Sequence, residues 1–127
     1  MKTINKIGVM ISGSGTTLQC LIDAIKAGVL QAEIVVVISS HVSAYGIKRA
    51  ELAGIPVAVA NTAGRAPEIY SNEILEILKS HAVELVVMAG FIKKYVPTAN
   101  DLPTINIHPS LLPAFGGKGM YGRNLFQ

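Results

Sequence analysis

Cysteine and tryptophan are nearly absent from this sequence. Cys20 is the single cysteine among 127 residues, and there is no tryptophan. One cysteine excludes an internal disulfide and is typical of a reducing compartment. No apolar run approaches the roughly 20 residues that span a bilayer. No apolar segment with a small-residue cleavage site follows the N-terminal lysines. We therefore expect a cytoplasmic protein with no membrane partner.

Charge is also scarce. Only 15% of the residues are charged, and the net charge is a mild +3. Binding to nucleic acid needs a denser basic patch and aromatic stacking platforms, whereas aromatic residues make up 6% of this chain. The three histidines lie far apart, without the spacing of metal ligands. The composition therefore predicts no nucleic-acid partner and no metal, and it favours a small anionic ligand.

Short apolar runs alternate with helical patterns along the whole chain. Such alternation predicts an α/β fold, a Rossmann-like and mostly parallel sheet with helices on both faces. Right-handed crossovers favour the strand order 3-2-1-4, with a fifth strand added, in a single domain over residues 1–127. Strands are predicted at residues 7–12, 34–38, 55–59, 85–89 and 105–107, and helices after residue 15, over about 43–53 and from Pro67.

A glycine-rich loop links the first strand to the first helix. Glycines let the backbone approach an anion at the positive end of a helix, and hydroxyl groups add donors, so the loop predicts a phosphate site. A tight turn with a Ser/Thr helix cap is the alternative. Leu18 replaces the third glycine of a dinucleotide fingerprint, and no lysine follows the loop as in a P-loop, so a monophosphate is favoured. The predicted phosphate-binding residues are Gly13, Ser14, Gly15, Thr16 and Thr17.

Asn106 and His108 lie two apart on the predicted fifth strand. Side chains at this spacing point to the same side of a strand, so both can reach one ligand. An amide can donate to an oxygen that gains negative charge during acyl transfer, and an imidazole can move protons near neutral pH. Alternatively, both are polar residues satisfied by loop backbone. Pro109 and Pro113 then fix the path of the chain.

Residues 105–115, Ile-Asn-Ile-His-Pro-Ser-Leu-Leu-Pro-Ala-Phe, resemble the signature of folate-dependent formyltransferases. Residues 11–19 and 87–91 are similar to the glycinamide ribonucleotide formyltransferases within that family, and the likeness runs along the whole chain. The His-Pro-Ser-Leu-Leu-Pro segment is shared with methionyl-tRNA formyltransferase and formyltetrahydrofolate deformylase. The glycine loop is not typical of methionyl-tRNA formyltransferase.

The resemblance implies transfer of a formyl group from 10-formyltetrahydrofolate to the amine of glycinamide ribonucleotide, in purine synthesis, without a metal. The glycine loop then matches the cradle of the substrate phosphate. Asn106 matches the residue that binds the formyl oxygen, and His108 matches the catalytic acid and base. The folate-binding wall is assigned by the same likeness to Gly90, Phe91, Ile92 and Lys93.

The sequence also departs from the family pattern. The family carries an aspartate after the His-Pro segment that orients the histidine, whereas here no acidic residue follows Asp101. The chain thus resembles a C-terminally truncated member, and we expect impaired activity. The alternatives are a non-catalytic phosphate-binding remnant of the enzyme and a formyltetrahydrofolate hydrolase. Missing strands would also expose a sheet edge and favour a homodimer.

Overall fold

The structure is a computed structural model that describes residues 5–91, 95 and 102–107. Its five strands form one parallel sheet in the order β3-β2-β1-β4-β5, which confirms the predicted fold. The strands are β1 (Lys6–Ile11), β2 (Glu33–Ser39), β3 (Val57–Val59), β4 (Leu85–Ala89) and β5 (Thr104–Ile107). The helices are α1 (Thr16–Lys26), α2 (Gly46–Leu52) and α3 (Pro67–Ser80).

Helices cover both faces of the sheet. Side chains alternate along a strand, so Val9 of β1 packs into the core beneath α1 and α2, while Met10 packs into the core beneath α3. Both are fully buried. Leu78 of α3 lies directly over Gly8, where a Cβ atom would come within 2.6 Å of Leu78 Cδ2. A glycine in the middle of β1 therefore lets α3 approach the sheet closely.

Two element starts differ from the sequence predictions by more than one residue. The second helix was predicted from about residue 43 but begins at Gly46, because residues 41–44 form a turn in which Ala44 N–H donates to His41 O. The third strand was predicted from residue 55 but begins at Val57. Pro56 lacks an N–H group, yet its carbonyl oxygen accepts from Val37 N–H and so leads the chain into the sheet edge.

The register of β1 with β4 determines where a ligand can bind. The two strands pair from Ile7 opposite Leu85 to Met10 opposite Met88, so they end at the same level. Strands β2 and β3 lie on one side of β1, and β4 and β5 lie on the other, so the strand order reverses between β1 and β4. In sheets of this kind, ligands bind at the carboxyl ends of the strands next to this point of reversal. The glycine loop and Gly90 both lie at that point.

The described edge of the sheet beyond β4 is β5, with Thr104 and Ile105 exposed. Self-association through this edge stays a prediction. Within the described part of the chain, no helix is both long and apolar enough to cross a membrane, and the longest, α3, has 14 residues.

Replacement of Leu78 by alanine tests the packing of α3. Leu78 is fully buried. We expect Leu78→Ala to lower the free energy of unfolding by about 2–5 kcal/mol in urea titrations, because the substitution leaves a cavity over Gly8. Leu52→Ala is the matched control, since that side chain at the end of α2 is 80% exposed and should change stability by less than about 0.5 kcal/mol. Equal losses in both variants would contradict the packing of α3.

Candidate functional site

A cleft of about 210 Å³ opens at the carboxyl ends of β1 and β4. One wall is the glycine loop that follows β1, and the other is the end of β4. All five predicted phosphate-binding residues line it together with one predicted folate-binding residue. The described lining consists of Gly13, Ser14, Gly15, Thr16, Thr17, Ala89 and Gly90.

The first turn of α1 is open at this cleft. Gly15 is the N-cap residue and has a left-handed backbone, with φ of 77°. No described side chain makes a capping hydrogen bond there. The first N–H groups of a helix have no acceptor within the helix, so they remain available to a ligand. This arrangement favours the predicted anion site over the alternative of a Ser/Thr-capped turn.

The end of β2 braces the beginning of the loop. Ser40 N–H donates to the carbonyl oxygen of Ile11 over 3.0 Å. The Ser40 hydroxyl donates to the Ser12 hydroxyl over 2.9 Å, and both side chains are buried. Buried hydroxyl groups of this kind stabilise a structure only when they are paired, so the contact fixes the exit of the chain from β1.

The start of α2 braces the rest of the loop. Gly46 N–H donates to the carbonyl oxygen of Gly13 over 3.0 Å. A Cβ atom on Gly15 would lie 2.6 Å from Gly46 Cα. A Cβ atom on Gly46 would collide with the Ile11 side chain. Both glycines are therefore required for this approach of the helix to the loop.

Arg49 of α2 also contacts the loop. Its Nε donates to the carbonyl oxygen of Ser14 over 2.7 Å, and its Nη1 donates to Gln19 Oε1 over 3.4 Å. The guanidinium lies over the ring of Tyr45, 5.1 Å from the ring centroid. Gln19 in turn donates to Asp23 Oδ1 over 3.0 Å. The contacts tie the loop and α1 to α2 through one side chain.

Sequence reasoning did not identify Gly46 or Arg49 as site residues. Glycine is a poor helix former, and its occurrence within the helical pattern over residues 43–53 was the available signal for Gly46. Arg49 carried no signal of its own, because its hydrogen-bond partners are 35 and 30 positions away in the chain.

The residues predicted to act on the formyl group lie only partly within the described structure. Asn106 is exposed on β5 and is paired in register with Met88 of β4. Its neighbour Ile107 is buried in the core beneath α1, so Asn106 points to the opposite face of the sheet. Asn106 is not in the described lining of the cleft. His108 lies outside the described residues, so the convergence of these two side chains with the loop stays a prediction.

The predicted folate-binding residues are likewise divided. Gly90 lines the cleft with a left-handed backbone, φ 83°. The Phe91 side chain is buried in the core beneath α3. Ile92 and Lys93 lie outside the described residues. No group of three or more metal-ligating side chains occurs in the described ranges.

Comparisons with known proteins agree with these features. The model of the formyl transferase family matches residues 5–127. The chain is 40% identical over 124 residues to the phosphoribosylglycinamide formyltransferase of Haemophilus influenzae, covering 94% of this chain and 58% of that protein. The chain thus spans little more than half the length of this curated relative.

Solved structures show the same relation. The phosphoribosylglycinamide formyltransferase of Coxiella burnetii superposes with a TM-score of 0.76 at 37% identity, covering 87% of this chain and 54% of that one. A formyltetrahydrofolate deformylase of Pseudomonas putida superposes with a TM-score of 0.74 over 84% of this chain and 38% of its own. That likeness, at 23% identity, shows a shared fold alone.

Alanine at Gly15 tests the close contact between the loop and α2. We expect Gly15→Ala to weaken binding of inorganic phosphate by at least about tenfold in calorimetric titrations, since the new methyl group displaces the loop or the helix. Gly54→Ala is the matched control: Gly54 has a φ of 75° but open space around it. The control should lose stability, by about 1–2 kcal/mol, and keep its phosphate affinity. Equal affinities in both variants would contradict the assignment.

The reactivity of the Cys20 thiol tests the positions of the charged groups around α1. Burial raises the pKa of this thiol, the Asp23 carboxylate raises it further, and the Arg49 guanidinium acts in the opposite direction. Since the thiolate is the reactive form, alkylation by iodoacetamide should be slow at pH 7 and accelerate as the pH rises. Asp23→Asn should lower the pKa of the thiol and speed alkylation at a fixed pH of about 8. As a control, the parent chain and Asp23→Asn should be alkylated equally fast when both are unfolded in urea. A slower reaction in folded Asp23→Asn would contradict the role of Asp23.

Proposed function

The chain belongs to the formyl transferase family, and we propose that it transfers a formyl group from 10-formyltetrahydrofolate to the amine of glycinamide ribonucleotide. The observation that carries the proposal is the cleft at the switch between β1 and β4, which is lined by the glycine loop and the open first turn of α1. The relatives named phosphoribosylglycinamide formyltransferase support the choice of this substrate.

The phosphate of the ribonucleotide would bind at the glycine loop. A helix N-terminus with free N–H groups attracts an anion, and the exposed hydroxyl groups of Ser14 and Thr16 add donors at the rim of the cleft. A phosphate held there leaves the sugar and its amine to extend along the carboxyl ends of β4 and β5. This direction leads from the loop towards Gly90 and the end of β5.

The reaction requires one bond to form and one to break. The substrate amine adds to the formyl carbon, and the bond from that carbon to N10 of the folate then breaks. The amine loses a proton, and the folate nitrogen gains one. Asn106 would donate its amide N–H to the formyl oxygen as negative charge builds there. His108 would carry the proton between the two nitrogens.

The folate would supply an activated formyl group, and residues 90–93 would form the wall of its site. The left-handed backbone at Gly90 supports this assignment, because a Cβ atom there would meet no neighbour within 4 Å and the space beside the backbone is open. Such open space at the end of β4 lets a flat ring approach the main chain.

An assay with and without the ribonucleotide tests the proposed reaction. We expect formylated ribonucleotide to appear only when both substrates are present. Asn106→Ala and His108→Ala should each lower kcat by about 10²–10⁴-fold and leave the affinity for inorganic phosphate unchanged. Leu52→Ala should react like the parent chain, because Leu52 is exposed and is not in the described lining of the cleft.

Two other outcomes would support the alternative functions. Release of formate at the same rate without ribonucleotide would indicate a formyltetrahydrofolate hydrolase. Tight binding of the ribonucleotide without either product would indicate a phosphate-binding protein that does not turn over.

A further inference from the structure

We propose that Arg49 is a positioning residue for the phosphate site: it holds the Ser14 carbonyl away from the cleft and thereby aims the Gly15 N–H at the bound phosphate. The inference rests on the proposed function in one respect only, namely that the glycine loop binds a phosphate group.

The argument begins with the geometry of one peptide unit. The Ser14 carbonyl and the Gly15 N–H belong to the same planar, trans peptide, so they point in opposite directions. Arg49 Nε donates a hydrogen bond to the Ser14 carbonyl oxygen over 2.7 Å. The Gly15 N–H is therefore directed away from α2 for as long as this hydrogen bond persists.

The preceding peptide unit is held in the same way. The Gly13 carbonyl accepts from Gly46 N–H over 3.0 Å, so the Ser14 N–H also points away from α2. The first and fourth residues of α2, Gly46 and Arg49, thus set the orientation of the Ser14 and Gly15 N–H groups.

The direction in which these N–H groups point follows from the topology. The chain enters α2 directly from β2, which lies on one side of β1, whereas β4 lies on the other side. The cleft is lined by Ala89 and Gly90 at the end of β4. Groups directed away from α2 are therefore directed towards the cleft. Successive N–H groups aimed into one concavity form an anion site.

Arg49 is also suited to this role by its charge. Among the described residues, no carboxylate forms a salt bridge with it, whereas Arg65 is paired with Glu73 over 2.9 Å. Its guanidinium is confined between the loop carbonyl, the Gln19 amide and the Tyr45 ring. A planar fork with several donors can make these contacts at once, and a lysine ammonium lacks that geometry.

Three variants separate positioning from charge and from general stability. Arg49→Gln removes the charge and the fork, and Arg49→Lys keeps the charge without the fork. Lys48→Gln removes one positive charge from the exposed neighbour on the same helix. We expect the dissociation constant for inorganic phosphate to rise about tenfold in Arg49→Gln, to rise less in Arg49→Lys, and to change less than twofold in Lys48→Gln.

A second readout distinguishes positioning from a structural role. In the parent chain, the amide resonance of Gly15 should shift when phosphate is added. In Arg49→Gln this shift should be smaller. The urea unfolding midpoint of Arg49→Gln should still be that of a folded protein. In the formyl transfer assay, KM for the ribonucleotide should rise with little change in kcat, because the loop holds the phosphate and not the reacting atoms.

The inference fails if folded Arg49→Gln binds inorganic phosphate as tightly as the parent chain. If Arg49→Gln does not fold, Arg49→Lys decides in its place, and an unchanged affinity in that variant overturns the inference. These titrations contain no formyl donor. A parent chain that binds phosphate and transfers no formyl group would therefore overturn the proposed function and leave the role of Arg49 intact.

Discussion

The close contact between the glycine loop and the start of α2 determines the rest of the site. Gly15 and Gly46 approach so closely that neither position has room for a side chain. That approach brings the Gly46 N–H and the Arg49 guanidinium within reach of two loop carbonyls. Without it, those carbonyls would be free to turn towards the cleft, where their negative ends would repel an anion.

The sheet could be predicted from the sequence because its signals are local. The apolar runs of β1, β2 and β4 are continuous, which indicates strands buried on both faces. The handedness of crossover connections then leaves few strand orders, and the predicted one occurs. The same reasoning placed the glycine loop and Gly90 at one end of the sheet. Proximity at the site therefore followed from topology, before any side chain was considered.

The bracing of the loop could not be predicted, since it depends on how α2 is rotated about its own axis. The helical pattern over residues 43–53 predicted a helix but not its first residue. A helix turns by about 100° per residue, so an error of three residues at its start leaves the direction of Arg49 undefined. The burial of Ala50 in the core and the contact of Gly46 with Gly13 and Gly15 set that direction. For Asn106, the strand and its alternation were predictable, whereas its convergence with His108 depends on chain beyond β5.

Leu18 is the residue that favours the proposal of a single phosphate over a dinucleotide at the loop. In the dinucleotide fingerprint this position is a glycine, which allows the helix to pack closely on the strand. Here Leu18 is fully buried in the core beneath α1, so its side chain separates the helix from the sheet. The cleft that remains, about 210 Å³, lies against the loop and the end of β4. The burial of Leu18 in the core therefore supports the proposal that the loop binds one phosphate group.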